Sequence, residues 1–262
     1  MRNLRTYKNE KKFSTGTVIA FVILIVSLSI AGFTLNALIS ELSIYNESSS
    51  EYEHLKKIGE NDDSNLSPDP DPETPDEISD INHDALLREN PDYAGWLKIE
   101  ETLVDYPIAV GEKYLYRTFK GKENRLGTPF GREPEEKGGK STYLERSFIK
   151  IYGHNARDAS MFGSLHGKIH DINAKDNKVR VDTSAGKRIW YKVIGSAKVS
   201  THSKFFSKET LNSEELQSAC KESNLPIPSK GKKVICFITC DNSGNKDIRL
   251  VVIAESVKSY NL

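Results

Sequence analysis

The chain has 262 residues with 37 basic and 37 acidic side chains, so its formal net charge is zero at pH 7. It is too long for a small disulfide-stabilised protein, and three cysteines cannot form a framework of disulfides. The neutral total hides three segments, with net charges of +4 in residues 1–40, −11 in residues 41–82 and +7 in residues 83–262. The last segment alone is long enough for one domain with a sizeable core.

Residues 17–39 form an apolar stretch without a charged side chain. As a helix, a stretch of this length spans about 30 Å of hydrocarbon, whereas the apolar part of a cleaved signal peptide is typically only about 7 to 15 residues. A buried core helix is rarely apolar on all sides for so long. Basic residues precede the stretch and acids follow it. We therefore predict a cytoplasmic tail over residues 1–16, a transmembrane signal-anchor helix over residues 17–39 and an extracellular location for the rest.

Residues 40–78 are predicted to be an acidic extracellular spacer. Residues 41–60 are compatible with a short polar helix, and residues 61–77 combine acids with four prolines. Proline removes backbone donors and like charges repel, so this second part should be extended. We interpret it as a solvated linker that holds the following domain away from the membrane, rather than as a binding motif.

Residues 79–262 are predicted to form one mostly β domain with inserted helices. Capping serines and acidic first turns predict helices at residues 79–89 and 213–222. Alternating or β-branched runs predict seven short strands, at residues 95–99, 103–109, 147–152, 178–182, 188–199, 234–239 and 249–254. Because regular helical crossovers are missing, the pattern favours a sandwich or barrel over a doubly wound parallel sheet.

Cysteine chemistry is the main candidate for function. The sequence has no Gly-rich phosphate loop, and its neighbouring histidines His154, His166 and His170 lack the spacing of a zinc-binding helix, so no metal is expected. The domain is not basic enough to predict binding of nucleic acid.

Cys240 is the candidate nucleophile because it stands where an apolar strand gives way to the polar loop 241–247. Cys236 lies on the same strand, but its Cα should be about 13 Å from that of Cys240, too far for a disulfide. For Cys220 and Cys236, a disulfide between them and two buried free thiols both remain open.

Arg249 begins the next predicted strand. If the two strands form an antiparallel hairpin, Arg249 becomes a neighbour of Cys240, where its charge would favour a thiolate and its guanidinium could bind an oxyanion. A solvated surface arginine is the alternative.

A thiol nucleophile also needs an acid/base partner, which is normally histidine. His154 is favoured because it directly follows a predicted strand, in YGHN, where glycine permits a sharp exit. His166, His170 and His202 lie in loop-like contexts typical of surface residues.

Three separated motifs resemble those of sortases. Residues 152–163 (YGHNARDASMFG) resemble the histidine segment in its class B form, and residues 238–240 (ITC), with Arg249 nine residues later, are similar to the end of the TLxTC…R signature. Residues 89–99 (ENPDYAGWLKI) and 104–108 (VDYPI) resemble the first strands of class B domains. Together the motifs cover nearly all of residues 80–262 in the family's order. Cys236 and Phe237 depart from TLxTC at its first two positions, whereas Cys240 keeps its place.

The resemblance implies a closed eight-stranded β-barrel and a membrane-anchored cysteine transpeptidase of Gram-positive bacteria that needs no cofactor. Its thiolate would attack the threonine carbonyl in a C-terminal sorting motif of a secreted protein, and an amine of the peptidoglycan cross-bridge or its lipid-linked precursor would then resolve the thioacyl enzyme. The implied catalytic residues are Cys240 as nucleophile, His154 as acid and base, and Arg249 as the group that holds substrate and oxyanion. Further candidates to line the substrate groove are Tyr152, Asn155, Ser160 and Thr239.

Other functions remain to be weighed. Some class B relatives join pilin subunits through a lysine amine, and the sequence does not decide between this role and wall anchoring. A wall-crosslinking L,D-transpeptidase would carry an S-H-G-x-C-type signature, which we do not find. Papain-like peptidases place cysteine before histidine, whereas here His154 comes first by 86 residues. An anchored binding module with a structural Cys240 would require the contexts of the histidine, the cysteine and the arginine to coincide by chance.

Overall fold

A single helix opens the part of the chain that the computed structural model describes, which comprises residues 14–59, 81–133, 139–168 and 177–262. This helix, α1 (Thr15–Gly59), is long and apolar enough in its first part to cross a membrane. The polar helix predicted after the apolar stretch is a continuation of α1. The predicted tail up to residue 13 and the proline-containing residues 61–77 lie outside the described residues.

The chain divides into two compact units, Met1–Asn46 and Glu47–Leu262. The second unit therefore includes the last part of α1, whose Tyr52 and Leu55 are buried. The hydroxyl of Tyr52 donates to the carbonyl oxygen of Gly127 over 2.9 Å. Residues 47–59, which the sequence assigned to the spacer, thus pack as part of the same unit as the strands.

Eight strands form a closed barrel, which confirms the predicted fold class. The strands are β1 (Tyr93–Ile99), β2 (Asp105–Val110), β3 (Phe130–Gly131), β4 (Phe148–Tyr152), β5 (Lys178–Thr183), β6 (Lys187–Ser200), β7 (Val234–Cys240) and β8 (Ile248–Asn261). Their order around the barrel is β1-β2-β3-β4-β7-β8-β6-β5, with β5 returning to β1. Strand β7 therefore lies between β4, with which it is parallel, and β8, with which it is antiparallel.

The sequence predicted seven of these strands with ends shifted by a few residues. It missed β3, which has only two residues, and the polar second half of β8. The described α-helices besides α1 are α2 (His83–Glu89), α3 (Leu165–Lys168) and α4 (Ser213–Glu222). The serine caps predicted for α2 and α4 were both wrong, because asparagines cap these helices. The side chain of Asn82 accepts from the backbone of Ala85, and that of Asn212 accepts from the backbone of Glu215 in a capping box.

A second layer packs on the outer face of β4 and β7. It contains α4 and a 3-10 helix (Lys204–Phe206) from the connection between β6 and β7, and it buries Cys220 and Cys236. The buried ammonium of Lys150 on β4 donates to the carbonyl oxygens of Phe205 and Lys208, both over 2.6 Å. This lysine holds the long connection against the strand that leads to His154.

Candidate active site

Cys240 and Arg249 face each other across the β7–β8 hairpin. They are the last pair of the antiparallel register, as expected if the two strands form a hairpin. The loop between them is held by Asp241, whose carboxylate accepts the Ser243 backbone N–H and pairs with the Lys198 ammonium, both over 3.0 Å. Hydrogen bonding from Ser243 and the charge of Lys198 lower the pKa of Asp241 well below its ordinary value. These two contacts fix the Asp241 side chain at the start of the loop that follows Cys240.

The parallel pairing of β4 with β7 brings His154 to the same edge of the sheet. Tyr152 is the register partner of Ile238, and the backbone N–H of Gly153 donates to the Ile238 carbonyl over 3.0 Å. His154 lies two residues after Tyr152, and Cys240 lies two residues after Ile238. Residues 86 apart in sequence thus reach the same level of neighbouring strands.

The imidazole of His154 is held by a backbone carbonyl. Its Nε2 lies 2.7 Å from the carbonyl oxygen of Leu115, which can only accept, so Nε2 carries the hydrogen. Burial lowers the pKa of His154 and Arg125 lowers it further, while the hydrogen bond to Leu115 opposes them. The neutral ring therefore offers an unprotonated Nδ1 for proton transfer.

The turn before His154 depends on a close approach of the backbone to an aromatic ring. A Cβ added at Gly153 would lie 2.7 Å from the ring of Phe162, which is fully buried. The backbone N–H of Phe162 in turn donates to the His154 carbonyl over 3.0 Å. These contacts close the segment after β4 into a compact loop.

The three cysteines are all free, and they differ in exposure. Cys220 and Cys236 are buried, and burial raises the pKa of Cys220 to about 11 and that of Cys236 well above its ordinary value. Cys240 alone among them is exposed. Because the thiolate is the reactive form of cysteine, Cys240 is the thiol suited to nucleophilic chemistry.

The guanidinium of Arg249 is held close to its own strand and loop. Its Nη1 donates to the carbonyl oxygens of Lys246 over 2.7 Å and of Ile248 over 3.0 Å. The side chain is half-buried at the end of β8 that faces Cys240. The backbone of Arg249 is thus paired with that of Cys240, while its guanidinium binds carbonyl oxygens of its own strand and loop.

The candidate groove residues have different surroundings. The amide of Asn155 donates to the Cys240 carbonyl over 3.2 Å, which brings Asn155 into the site. The Ser160 hydroxyl donates to Asp158 over 2.6 Å within its own loop. Thr239 is only 2% exposed.

Tyr152, two residues before His154, contacts two residues that line a cavity of about 1020 Å³. Its hydroxyl donates to Glu209 over 2.9 Å, and the Arg132 guanidinium lies over its ring. Both of these charged residues line the cavity, together with Lys113 and Asp92. Within the described ranges, no three His, Cys, Asp or Glu side chains cluster closely enough to hold a metal ion.

Sequence reasoning missed His166, which it interpreted as a surface residue. Its Nε2 lies 2.9 Å from the backbone carbonyl oxygen of Cys240. Nothing in the local pattern signals this contact, because it depends on where the loop after β4 ends relative to β7. His170 lies outside the described residues.

Comparisons with known proteins identify the domain. The sortase domain family model matches residues 97–257. Sortase B of Listeria monocytogenes serovar 1/2a is 36% identical over 83 residues, a match that covers 30% of this chain and 32% of that protein. Sortase B of Staphylococcus aureus is 24% identical over 193 residues, covering 67% of this chain and 74% of that protein. The chain thus matches about a third of the Listeria protein's length and about three quarters of the Staphylococcus protein's length.

Solved structures share the barrel. Clostridium perfringens sortase B has a TM-score of 0.54 at 25% identity, covering 67% of this chain and 99% of that one. Bacillus anthracis sortase B in complex with AAEK1 has a TM-score of 0.61 at 22% identity, covering 83% and 99%. The family model covers more than half of the chain, so this chain belongs to the sortase family, and its relatives mark it as a class B sortase.

Proposed function

We propose that this sortase is a membrane-tethered cysteine transpeptidase that cleaves a C-terminal sorting motif of secreted proteins after threonine and transfers the protein to an amine of a peptidoglycan precursor. Sortases are generally cysteine transpeptidases, and the finer assignment is ours. The observation that carries it is the register of β4, β7 and β8. It supports a site in which His154, Cys240 and Arg249 act together.

In the first half-reaction, the Cys240 thiolate attacks the threonine carbonyl of the bound sorting motif. The oxygen gains negative charge, and Arg249 supplies a cation and N–H donors beside it. His154, which takes up the thiol proton of Cys240 when the thiolate forms, then gives that proton to the leaving amine as the C–N bond breaks. The products are a thioester on Cys240 and the released C-terminal tail.

In the second half-reaction, the acceptor amine attacks the thioester. His154 is now neutral and takes a proton from the amine, so the same residue serves as acid and then as base. Its burial and lowered pKa support the base role, because they keep the ring neutral between the two steps. The thiolate leaves and the enzyme is regenerated.

We further propose that the apolar part of α1 anchors the enzyme in the cell membrane with its N-terminus in the cytoplasm. The five basic residues that precede the apolar stretch support this orientation. The catalytic domain would then meet secreted proteins and wall precursors on the outer side.

Peptide cleavage by the full chain in detergent micelles tests the function. A fluorogenic peptide library is incubated with wild type, Cys240→Ala and Cys220→Ala, and the enzyme is analysed by mass spectrometry for a covalent acyl adduct. We expect cleavage and the adduct for wild type and Cys220→Ala, and neither for Cys240→Ala. Full turnover by Cys240→Ala would overturn the mechanism.

A further inference from the structure

The backbone carbonyl of Cys240 accepts hydrogen bonds from side chains, whereas the carbonyl of Ile238, two residues earlier, accepts from a backbone N–H. Alternate carbonyls of a strand point to the same side, so the Cys240 carbonyl is the next acceptor after that of Ile238, which binds the Gly153 N–H. Two side chains meet it there. The Asn155 amide donates over 3.2 Å, and the Nε2 of His166 lies 2.9 Å away.

Both side chains act as donors at this carbonyl. A carbonyl oxygen can only accept, so Nε2 of His166 carries a hydrogen whether the ring is neutral or protonated. The Asn155 amide also donates to the side-chain oxygen of Asn242, two residues after Cys240, over 2.6 Å. At the level of Cys240, side-chain hydrogen bonds therefore connect β7 to the loop after β4. Two residues earlier, the backbone hydrogen bond from Gly153 to Ile238 makes the same connection.

The two donors sit at opposite ends of one closed loop. Asn155 directly follows His154, and His166 lies in α3 at the far end. Inside the loop, Asn155 forms a β-bridge with Met161, and the backbone N–H of His166 donates to the Gly163 carbonyl over 3.2 Å. Because of these contacts, a displacement of α3 would also displace the segment that carries His154.

We propose that His166 is a positioning residue that fixes the Cys240 thiol relative to the His154 imidazole by donating to the Cys240 carbonyl. The inference rests on the proposed function. Its physical basis is that reactions between held groups depend steeply on geometry, so that a displacement of about 1 Å can cost about 100-fold in rate. His166 itself does not touch the reacting atoms.

The test compares His166→Ala with His166→Gln in the full chain. The Gln amide nitrogen reaches about as far as Nε2, so this variant keeps a donor, whereas Ala removes it. His54→Ala, which changes an exposed histidine on α1, is the matched control. The measurements are kcat and KM for a cleaved peptide, the rate of Cys240 alkylation by iodoacetamide with the Cys240→Ala rate subtracted, and Tm.

We expect His166→Ala to lower kcat by about five- to tenfold, the effect of one ordinary hydrogen bond, with little change in KM or Tm. Alkylation of Cys240 should slow by a similar factor, and His166→Gln should recover most of both losses. A wild-type kcat in His166→Ala would overturn the proposal, and so would a fall in kcat that is equally large in His166→Gln. A fall in kcat that is accounted for by a fall in Tm would also overturn it. Because alkylation needs no peptide, it still tests His166 if wild type cleaves no sorting peptide, an outcome that would instead refute the proposed function.

Discussion

Replacing Gly153 with alanine tests the close contact that forms the turn before His154. The added methyl carbon would lie 2.7 Å, 2.8 Å and 3.0 Å from three ring atoms of Phe162. Carbon atoms normally meet at about 3.5 to 4.0 Å, so the overlap is nearly 1 Å. Gly153 does not have a positive φ, and the cost is therefore steric.

The Phe162 ring has little room to retreat. It is fully buried and packs edge-on against Phe237 of β7, with ring centroids 5.9 Å apart. Overpacking of this kind costs about 1 to 3 kcal/mol. In a unit of this size, about 2 kcal/mol corresponds to a fall in Tm of about 4 to 8 °C. We also expect slower peptide cleavage, since the next residue is His154.

Thermal unfolding followed by circular dichroism measures the cost. Gly167→Ala is the matched control, because a Cβ there meets no atom within 4 Å. The double variant Gly153→Ala/Phe162→Leu makes room for the methyl group, so its loss of stability should be smaller than the sum of the single losses by about 1 kcal/mol. A Tm for Gly153→Ala equal to that of Gly167→Ala, or fully additive losses, would refute the steric explanation.

Three further predictions concern other contacts. Arg249→Lys should reduce peptide turnover by at least about tenfold, because an ammonium keeps the charge but loses the fork of donors; unchanged kinetics would remove Arg249 from the oxyanion role. Tyr52→Phe should cost about 1 to 2 kcal/mol in unfolding, because it leaves the Gly127 carbonyl without this buried donor, whereas Tyr116→Phe at an exposed site should be neutral. Because the pKa of His154 is lowered in the folded state, the imidazole takes up a proton near pH 6.5 in the unfolded chain but stays neutral in the folded one. Protonation therefore favours unfolding, and the free energy of unfolding decreases as the pH falls below 6.5. Wild type should therefore lose more Tm on acidification than His154→Gln, and equal losses would contradict this.

The fold was largely predictable because most strands have strong local signals. Alternation and β-branched residues marked seven strands, and the structure contains the hairpin that the sequence left as a condition for pairing Cys240 with Arg249. Strand β3 could not be predicted, since two residues following Pro129 show no period. The second half of β8 is polar and becomes a strand because it pairs with β6, an interaction that the local sequence does not reveal.

The site was less predictable than the fold because it depends on contacts between distant segments. Chemistry favoured His154 over the other histidines, but its nearness to Cys240 results from the parallel register of β4 and β7. The role of Leu115 as acceptor for His154 and the contact of His166 with Cys240 arise only once the connecting loops have folded onto the barrel. Single-residue patterns carry no signal for either contact.

The position of β7 between a parallel and an antiparallel neighbour also bears on how the site forms during folding. Parallel pairing with β4 brings together segments separated by more than 80 residues, and such long-range contacts form slowly. Arg249 joins only when β8 has been added on the other side of β7. A chain that still lacks β8 during synthesis would contain Cys240 and His154 but not Arg249, so the proposed site would be complete only when β8 has been added.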